Sequence, residues 1–380
     1  TATTEIYTLS YTTLFRSEGL GMEKSELVEK IKTIAPGTPL RHALDDIQDA
    51  SIGGLIFFVD DYKKYGNLMQ MGFLLNCPFN PNKLYELAKM DGAIVVSEDL
   101  STIVGANIQL IPDHTILTNQ TGMRHRAAER MAKETGRMLV AVSKRRNTMT
   151  IFLGDFVYTL NSVETLTSKI TQTIRTAEKF REAFMESLTG IEFMERSGSL
   201  TMFDIIKTIQ KGLMVNMIGE EARFTIAELG NHGRFPQMQL NEILSNVTEE
   251  IENMVLDFSE TLLDPDGLNE TISRFLSLSE KEINSFSIIL RLLGYDITTS
   301  SQALEFFLRS RGIRFCRHIP RIPLQVAINL GKEFGTFNNL LESSEEELKE
   351  VDGIGEKRAS AIRHAIDIYR KSGQVTIPGF

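Results

Sequence analysis

Apolar spacing changes register several times along the chain. Residues 26–34 place apolar side chains at helical intervals, and Pro36-Gly37-Thr38-Pro39 stops that run before a second short helix over 40–50. Gly54-Leu55-Ile56-Phe57-Phe58-Val59, closed by Asp60-Asp61, is a continuous apolar run and predicts a strand buried on both faces. Asn80-Pro81-Asn82 opens a helix over 83–90, with proline near the first helical position, where its missing N–H costs little. That helix passes straight into Asp91-Gly92-Ala93-Ile94-Val95-Val96-Ser97. Further strands are expected over 103–110, 138–143 and 148–153, and a helix from just after Arg126 to Gly136. Strands alternating with helices predict one α/β domain around a mixed central sheet over 22–160.

Beyond Asn161 the period becomes helical. One long helix is expected over 163–188, with others near 200–218, 236–258 and 268–276, giving an all-α linker domain over 161–305. This middle carries no motif and reads as a spacer bundle. Phe193, Met194, Met202, Phe203, Met214 and Met217 read as packing positions. A third domain is expected over 306–373. Residues 1–21 do not share these patterns: the stretch 7–17 resembles a translated sequencing adaptor, so 1–21 is expected to be a non-native leader and Met22 the native start.

Composition narrows the classes. A chain of 380 residues, 42% hydrophobic, is long enough for two or three domains with proper cores. Lys+Arg against Asp+Glu runs 17 to 18 over 1–160, 12 to 23 over 161–305 and 12 to 9 over 306–373. A mildly basic C-terminal piece following an acidic middle suggests different partners for different segments. Only Cys77 and Cys316 occur, which excludes a disulfide framework and fits a reducing cytosol. There is no apolar run of membrane-spanning length. His42, His114, His232, His318 and His364 show no zinc-site spacing and are expected to be ordinary surface or packed residues.

Candidate chemistry lies in three places. In Gly122-Met123-Arg124-His125-Arg126-Ala127, two guanidinium forks flank a histidine at a helix start, where backbone N–H groups also favour an anion. Taken alone, the triplet fits a solvated surface better than a phosphate site. Flanking arginines disfavour a charged imidazole, so His125 suits phosphate orientation as readily as base catalysis. Asp91-Gly92-Ala93 stands where a helix meets a buried strand: a carboxylate there can hold Mg2+ or Mn2+, or cap its own turn. The third place is Val351-Asp352-Gly353-Ile354-Gly355-Glu356-Lys357-Arg358-Ala359, between two helical stretches. It looks like a helix-hairpin-helix motif, whose second helix start offers N–H groups to a DNA phosphate while Lys357 and Arg358 add charge. Residues 319–327 align with it at a shift of 32 as a degenerate first copy. The prolines there remove donors, so that hairpin is expected mainly to pack. Glu345, Glu346, Glu347 and Glu350 nearby predict modest, salt-sensitive, sequence-independent binding.

Asp-Gly-Ala, then Gly-x-Arg-His-Arg, then Ser143-Lys144-Arg145-Arg146 after another strand, resembles the diadenylate cyclase family in its DNA integrity scanning architecture, from Met22 through nearly the whole chain. The resemblance implies condensation of two ATP to cyclic di-AMP and two pyrophosphates. Asp91 would hold the metal and help activate the ribose 3′-hydroxyl, and Gly92, Ala93 and Leu110 would line the nucleotide site. Arg124, His125, Arg126 and Ala127 would surround the phosphates, and Ser143 and Arg146 would close the pocket. Met123 stands where many members have Thr, leaving only a backbone contact. The resemblance further implies an octamer with catalytic rings face to face, nucleoid association in the cytoplasm, and modulation by branched or damaged double-stranded DNA. Such transfer needs an in-line attacker and charge neutralisation, which a metal carboxylate plus arginines supply. A symmetric product requires two sites facing across a two-fold axis. The alternative is a non-enzymatic DNA-binding scaffold with a vestigial nucleotide domain; an ATP-hydrolysing motor is a third. Gly-x4-Gly-Lys-Ser/Thr is absent.

Overall fold

The structure, a computed structural model, describes residues 24–70, 72–296 and 300–372. The expected leader at 1–21 lies outside them. By its contacts the chain groups into two compact units. One runs to Thr171 and includes Arg223–Gln237; the other comprises Gln172–Ala222 and the chain from Met238.

The first unit begins with helices α1 (Lys24–Thr33) and α2 (Pro39–Asp49), the second capped by Thr38, whose hydroxyl accepts from Arg41 N. Strand β1 (Gly54–Val59) is buried at all six positions, as its apolar run predicts. After a 3-10 turn come β2 (Met69–Gln70), β3 (Phe73–Pro78), α3 (Pro81–Leu87), β4 (Ala93–Ser97) and β5 (Thr102–Leu110). Next are α4 (Met123–Thr135), β6 (Met138–Ser143), β7 (Thr148–Leu153) and β8 (Phe156–Thr159). They build one mixed sheet in the order β2-β5-β4-β1-β6-β7-β8, with β3 also on β5. Among the described residues only β1 and β4 run parallel, with Ile56 beside Ile94; the other pairs are antiparallel. One sheet face packs Leu27, Ile31, Leu40, Leu44 and Ile47 of α1 and α2 against Ile56, Ile94 and Val140. The other packs Ala128, Met131 and Ala132 of α4 against Phe57, Val95, Leu139 and Phe152.

Strands β2, β3 and β8 escape the sequence pattern. In β3 the alternation is lost because Phe73, Leu74 and Leu75 are all exposed and a bulge separates Leu74 from Cys77. Strand β8 has four residues and returns directly from a Gly154-Asp155 turn. Helix α4 corrects the expected start of its segment. It begins at Met123, with Gly122 as N-cap, so Arg124, His125 and Arg126 lie in its first turn rather than before it. One segment of the helical middle, Arg223–Gln237, returns to this unit: Phe224 joins the sheet core, and buried Glu228 accepts from Tyr158 Oη at 2.6 Å and Asn161 N at 2.8 Å.

The helical part begins with α5 (Val163–Ser197) and α6 (Met202–Leu229), both longer than expected. The single helix expected over 236–258 is two, α7 (Arg234–Leu244) and α8 (Val247–Phe258), because Asn246 adopts φ 63 between them. Shorter helices follow: α9 (Pro265–Leu276), α10 (Glu280–Ile283), α11 (Phe286–Leu292) and α12 (Ser300–Glu305). Met202 is fully buried and Phe203 stacks on Phe286 at 5.0 Å, but Phe193 is 66% exposed and is not the packing residue its position suggests.

The C-terminal part holds α13 (Ile313–Arg317), α14 (Leu324–Phe334), α15 (Phe337–Glu342), α16 (Glu345–Glu350) and α17 (Glu356–Ser372). Phe315, Phe337 and Tyr369 form a ring cluster with centroids 5.2–5.6 Å apart, tying α13, α15 and α17. Its basic residues turn toward the acidic middle. Arg314 Nε and Nη1 each lie 2.7 Å from a carboxylate, of Glu250 and Glu192. Arg317 reaches Glu249 and Glu252, and His318 Nε2 lies 2.6 Å from Glu250. Asp257 accepts from the N–H groups of Ile313 and Arg314, while Arg311 donates to the carbonyls of Leu256, Asp257, Ser259 and Glu260. Each helix end is thus capped by a side chain of the other segment. Part of the charge asymmetry in the sequence therefore finds its partners within one unit, and His318 is among the packed histidines.

Candidate functional site

Sheet topology brings one set of residues together. Because β1 and β4 are parallel, Gly53 and Asp91-Gly92 precede their strands at the same sheet edge. Antiparallel pairing of Gly54 with Val142 and of Ala93 with Ile108 brings the C-terminal ends of β6 and β5, hence Ser143 and Leu110, to that edge too. Helix α4, packed on β6 and β7, points its N-terminus there. His125 meets Phe152 of β7 edge to face at 6.0 Å, fixing its first turn.

Asp91 leaves its side chain fully exposed, with Oδ1 3.4 Å from Arg124 Nη2. The following Gly92 has φ 89, and a Cβ there would lie 2.9 Å from Ile108 O and Asn107 C. No L side chain fits that position, so glycine sets the close approach of the Asp91 turn to β5. Ala93 is buried in the sheet core, and Leu110, partly buried, packs on the α4 face beside it.

In α4, Gly122 provides no side-chain cap, so the first N–H groups lack a side-chain acceptor. Burial pushes the His125 imidazole pKa down, and the neighbouring Arg146 and Arg124 push it the same way, so the ring is neutral at neutral pH. Arg126 is exposed, Ala127 half-buried, and Met123, 88% exposed, points its thioether into solvent. Ser143 Oγ accepts from Arg146 N at 3.1 Å, shaping the turn that carries Arg146 to Thr121, where Nη2 meets Oγ1 at 3.0 Å. Thr121 lies outside the motifs, and Gly53 is likewise unmarked by any of them. The segment from β5 to α4 is tacked to α4 by Arg130, which donates to Ile116 O, by Lys133, which donates to Leu117 O, and by Glu134, which accepts from Asp113 N.

The edge therefore gathers one exposed carboxylate paired with Arg124, a second arginine in Arg146, a neutral histidine and an open helix N-terminus, with Arg126 exposed in the same helical turn. That set matches a polyphosphate with a divalent cation, because Mg2+ takes one or two carboxylates and completes its shell with phosphate and water. Among the described residues no group of three or more His, Cys, Asp or Glu could hold a metal alone.

In the hairpin region, Gly353 has φ 85 and Ile354 is buried, while Gly355, Lys357 and the α17 start are exposed. Arg358 Nη1 donates to Gly353 O at 2.6 Å, bracing the hairpin itself. The first hairpin ends at Pro323, the N-cap of α14, and has Arg321 exposed at φ 69.

Fold and site together define a nucleotide-binding α/β domain joined to helices and a helix-hairpin-helix module. A model of the DisA bacterial checkpoint controller nucleotide-binding domain matches residues 41–156, one of the DisA linker region matches 160–302, and a helix-hairpin-helix model matches 314–367. Over 345 residues the chain is 44% identical to the DNA integrity scanning protein DisA of Thermotoga neapolitana, covering 91% of this chain and 97% of that one. It is 39% identical to the DisA of Carboxydothermus hydrogenoformans over 357 residues, 94% of this chain and all of that one, and 38% identical to that of Clostridium botulinum over 346 residues, 91% and 96%. The chain belongs to the DisA family. Among the described residues no helix is long and apolar enough to cross a membrane.

Proposed function

We propose that this chain is a diadenylate cyclase whose DNA-binding C-terminal module adjusts its output. The observation that carries the reading is the convergence of Asp91, Gly92, Arg124, His125, Ser143 and Arg146 on one sheet edge in a chain of the DisA family.

In this reading two ATP bind in two copies of the chain. The 3′-oxygen of each forms a bond to the α-phosphorus of the other, the α–β phosphoanhydride breaks, and pyrophosphate leaves; the second such step closes the ring. Asp91, exposed and close to one arginine only, would hold Mg2+ or Mn2+ together with phosphate oxygens. Such an ion, when bound, would neutralise phosphate charge and make the attacking hydroxyl more acidic. Arg124, Arg126 and Arg146 bind phosphate oxygens as charged forks, and the α4 N–H groups add to them. Neutral His125 donates one hydrogen bond to a phosphate and orients it without adding charge. Gly92 lets the nucleotide approach the backbone, and Leu110 and Ala93 present apolar surface to the adenosine. Because Asp91 faces solvent, a second copy across a two-fold axis brings the other nucleotide to it, and an octamer of facing rings satisfies that need.

For DNA, the Gly353-Ile354-Gly355 turn and the α17 start would accept a backbone phosphate, with Lys357 and Arg358 adding charge. Such contacts hold duplex or branched DNA without reading its bases and suit a cytoplasmic, nucleoid-associated protein. The test is incubation with ATP and Mg2+ or Mn2+, with and without branched DNA, and mass analysis of products. Cyclic di-AMP and pyrophosphate are expected. ADP and phosphate would indicate a motor instead, and no product at all would leave a DNA-binding scaffold.

A further inference from the structure

Gly53, the residue before β1, lies outside every motif that points to the site. Its φ is not in the left-handed region, so no backbone conformation there requires glycine. The strand pairing does not require it either. A Cβ at Gly53 would lie 3.6 Å from Val142 O on β6, an ordinary contact. What a Cβ would meet is Arg124: Nη1 at 2.0 Å and Cζ at 3.3 Å. The guanidinium lies over the bare Cα, and its other nitrogen, Nη2, is the one 3.4 Å from Asp91 Oδ1.

We infer that Gly53 is a positioning residue, its missing side chain forming the seat that holds the Arg124 guanidinium beside Asp91 for the bound polyphosphate. An arginine loses much side-chain freedom when it is held in one place, and a seat that fixes the fork before binding lowers that loss at the moment of binding. It also sets the distance between the cation that grips phosphate and the carboxylate assigned to the metal, where a displacement of about 1 Å can change rate on the order of a hundredfold. The contact lies at the far end of a flexible side chain. A methyl at position 53 therefore moves Arg124 rather than the sheet, and its effect falls on the site and not on the fold.

This inference rests on the cyclase reading for its rate arm, whereas its binding arm stands without it. The experiment is a double-mutant cycle of Gly53→Ala and Arg124→Ala. Each protein is measured for thermal midpoint, for the dissociation constant of 3′-deoxy-ATP with Mg2+, and for cyclic di-AMP formation from ATP. The probe lacks the attacking hydroxyl and cannot cyclise. Gly53→Ala alone is expected to keep the midpoint, weaken the probe roughly tenfold and slow product formation by about ten- to a hundredfold. In the Arg124→Ala background it should change neither. Equal losses in both backgrounds, full binding by Gly53→Ala, or a lowered midpoint shared by both backgrounds would each overturn the seat. A wild type that binds the probe but yields no cyclic di-AMP would overturn the cyclase reading while the binding cycle still decides the seat.

Discussion

Arg321 and Gly353, thirty-two positions apart, occupy the same left-handed backbone region, with φ 69 and 85. The two hairpins thus share a turn, and the first puts a charged side chain where the second has glycine. Arg321 is exposed, which gives the first hairpin a cation at the place where packing alone is expected. Holding arginine at that φ costs about 1–2 kcal/mol. Arg321→Gly should raise the melting temperature, weaken duplex DNA binding, and lower the slope of log affinity against log salt by about one. Unchanged affinity with raised stability would confine the first hairpin to packing.

Arg314 is the buried hub between the helical middle and the hairpin segment. Its side chain is 9% exposed, and its partners Glu192 and Glu250 are 12% and 5% exposed. Removing the cation takes one partner from each of two carboxylates in a dry setting and leaves Glu250 with His318. Arg314→Ala is expected to lose roughly 3–5 kcal/mol in chemical denaturation. A loss below about 1 kcal/mol would show that water replaces the guanidinium freely.

The same region makes stability depend on pH in two opposed ways. Burial pushes Glu195, hydrogen-bonded to Ser310 N at 2.9 Å, up to about 7, and pushes Asp257 up to about 6. Both hold a proton more tightly folded than unfolded, so they add stability as pH falls from about 7 toward their unfolded values of 4.5 and 3.8. Glu250 opposes them. Burial works against its charge, but His318 and Arg314 outweigh burial and hold it at about 2, so its contribution is lost as pH falls below 4.5. Thermal midpoints should therefore rise from about pH 8 to 5 and drop below about pH 4. Glu195→Gln, which keeps an acceptor for Ser310, should flatten the upper limb; an unaltered limb would place the titration elsewhere.

At the sheet edge, Asp91→Asn should abolish cyclic di-AMP while 3′-deoxy-ATP binding partly survives, since the arginines and the helix N-terminus remain. Full turnover by that variant would remove the metal role from Asp91.

Gly92→Ala tests the neighbouring backbone. At φ 89, with a Cβ 2.9 Å from Ile108 O, alanine must shift the Asp91 turn. The expected cost is about 1–3 kcal/mol, together with loss of product, read by denaturation and by product assay. A stable, active variant would mean that β5 yields at this point.

By itself the sequence determined the elements whose burial is one-sided or complete. The run 54–59, the helical period of 163–188 and the glycines of the second hairpin each carry a local signal, because period and turn chemistry are properties of neighbouring residues. The Arg-His-Arg triplet and Asp91 were legible as chemistry for the same reason. Their meeting was decided by tertiary structure. Parallel pairing of β1 with β4 and antiparallel pairing of β1 with β6 place Gly53, Asp91 and Ser143 at one edge, and register between distant strands has no local trace. Gly53 has no signal of its own, since the space it leaves is filled by a side chain 71 positions away. The charge asymmetry of the halves was visible in composition, but its resolution through Arg311, Arg314 and Arg317 needed the packed helices. A charge in a sequence does not say whether water, DNA or a buried carboxylate will face it; only the packed chain decides how much water each charge loses and what replaces it.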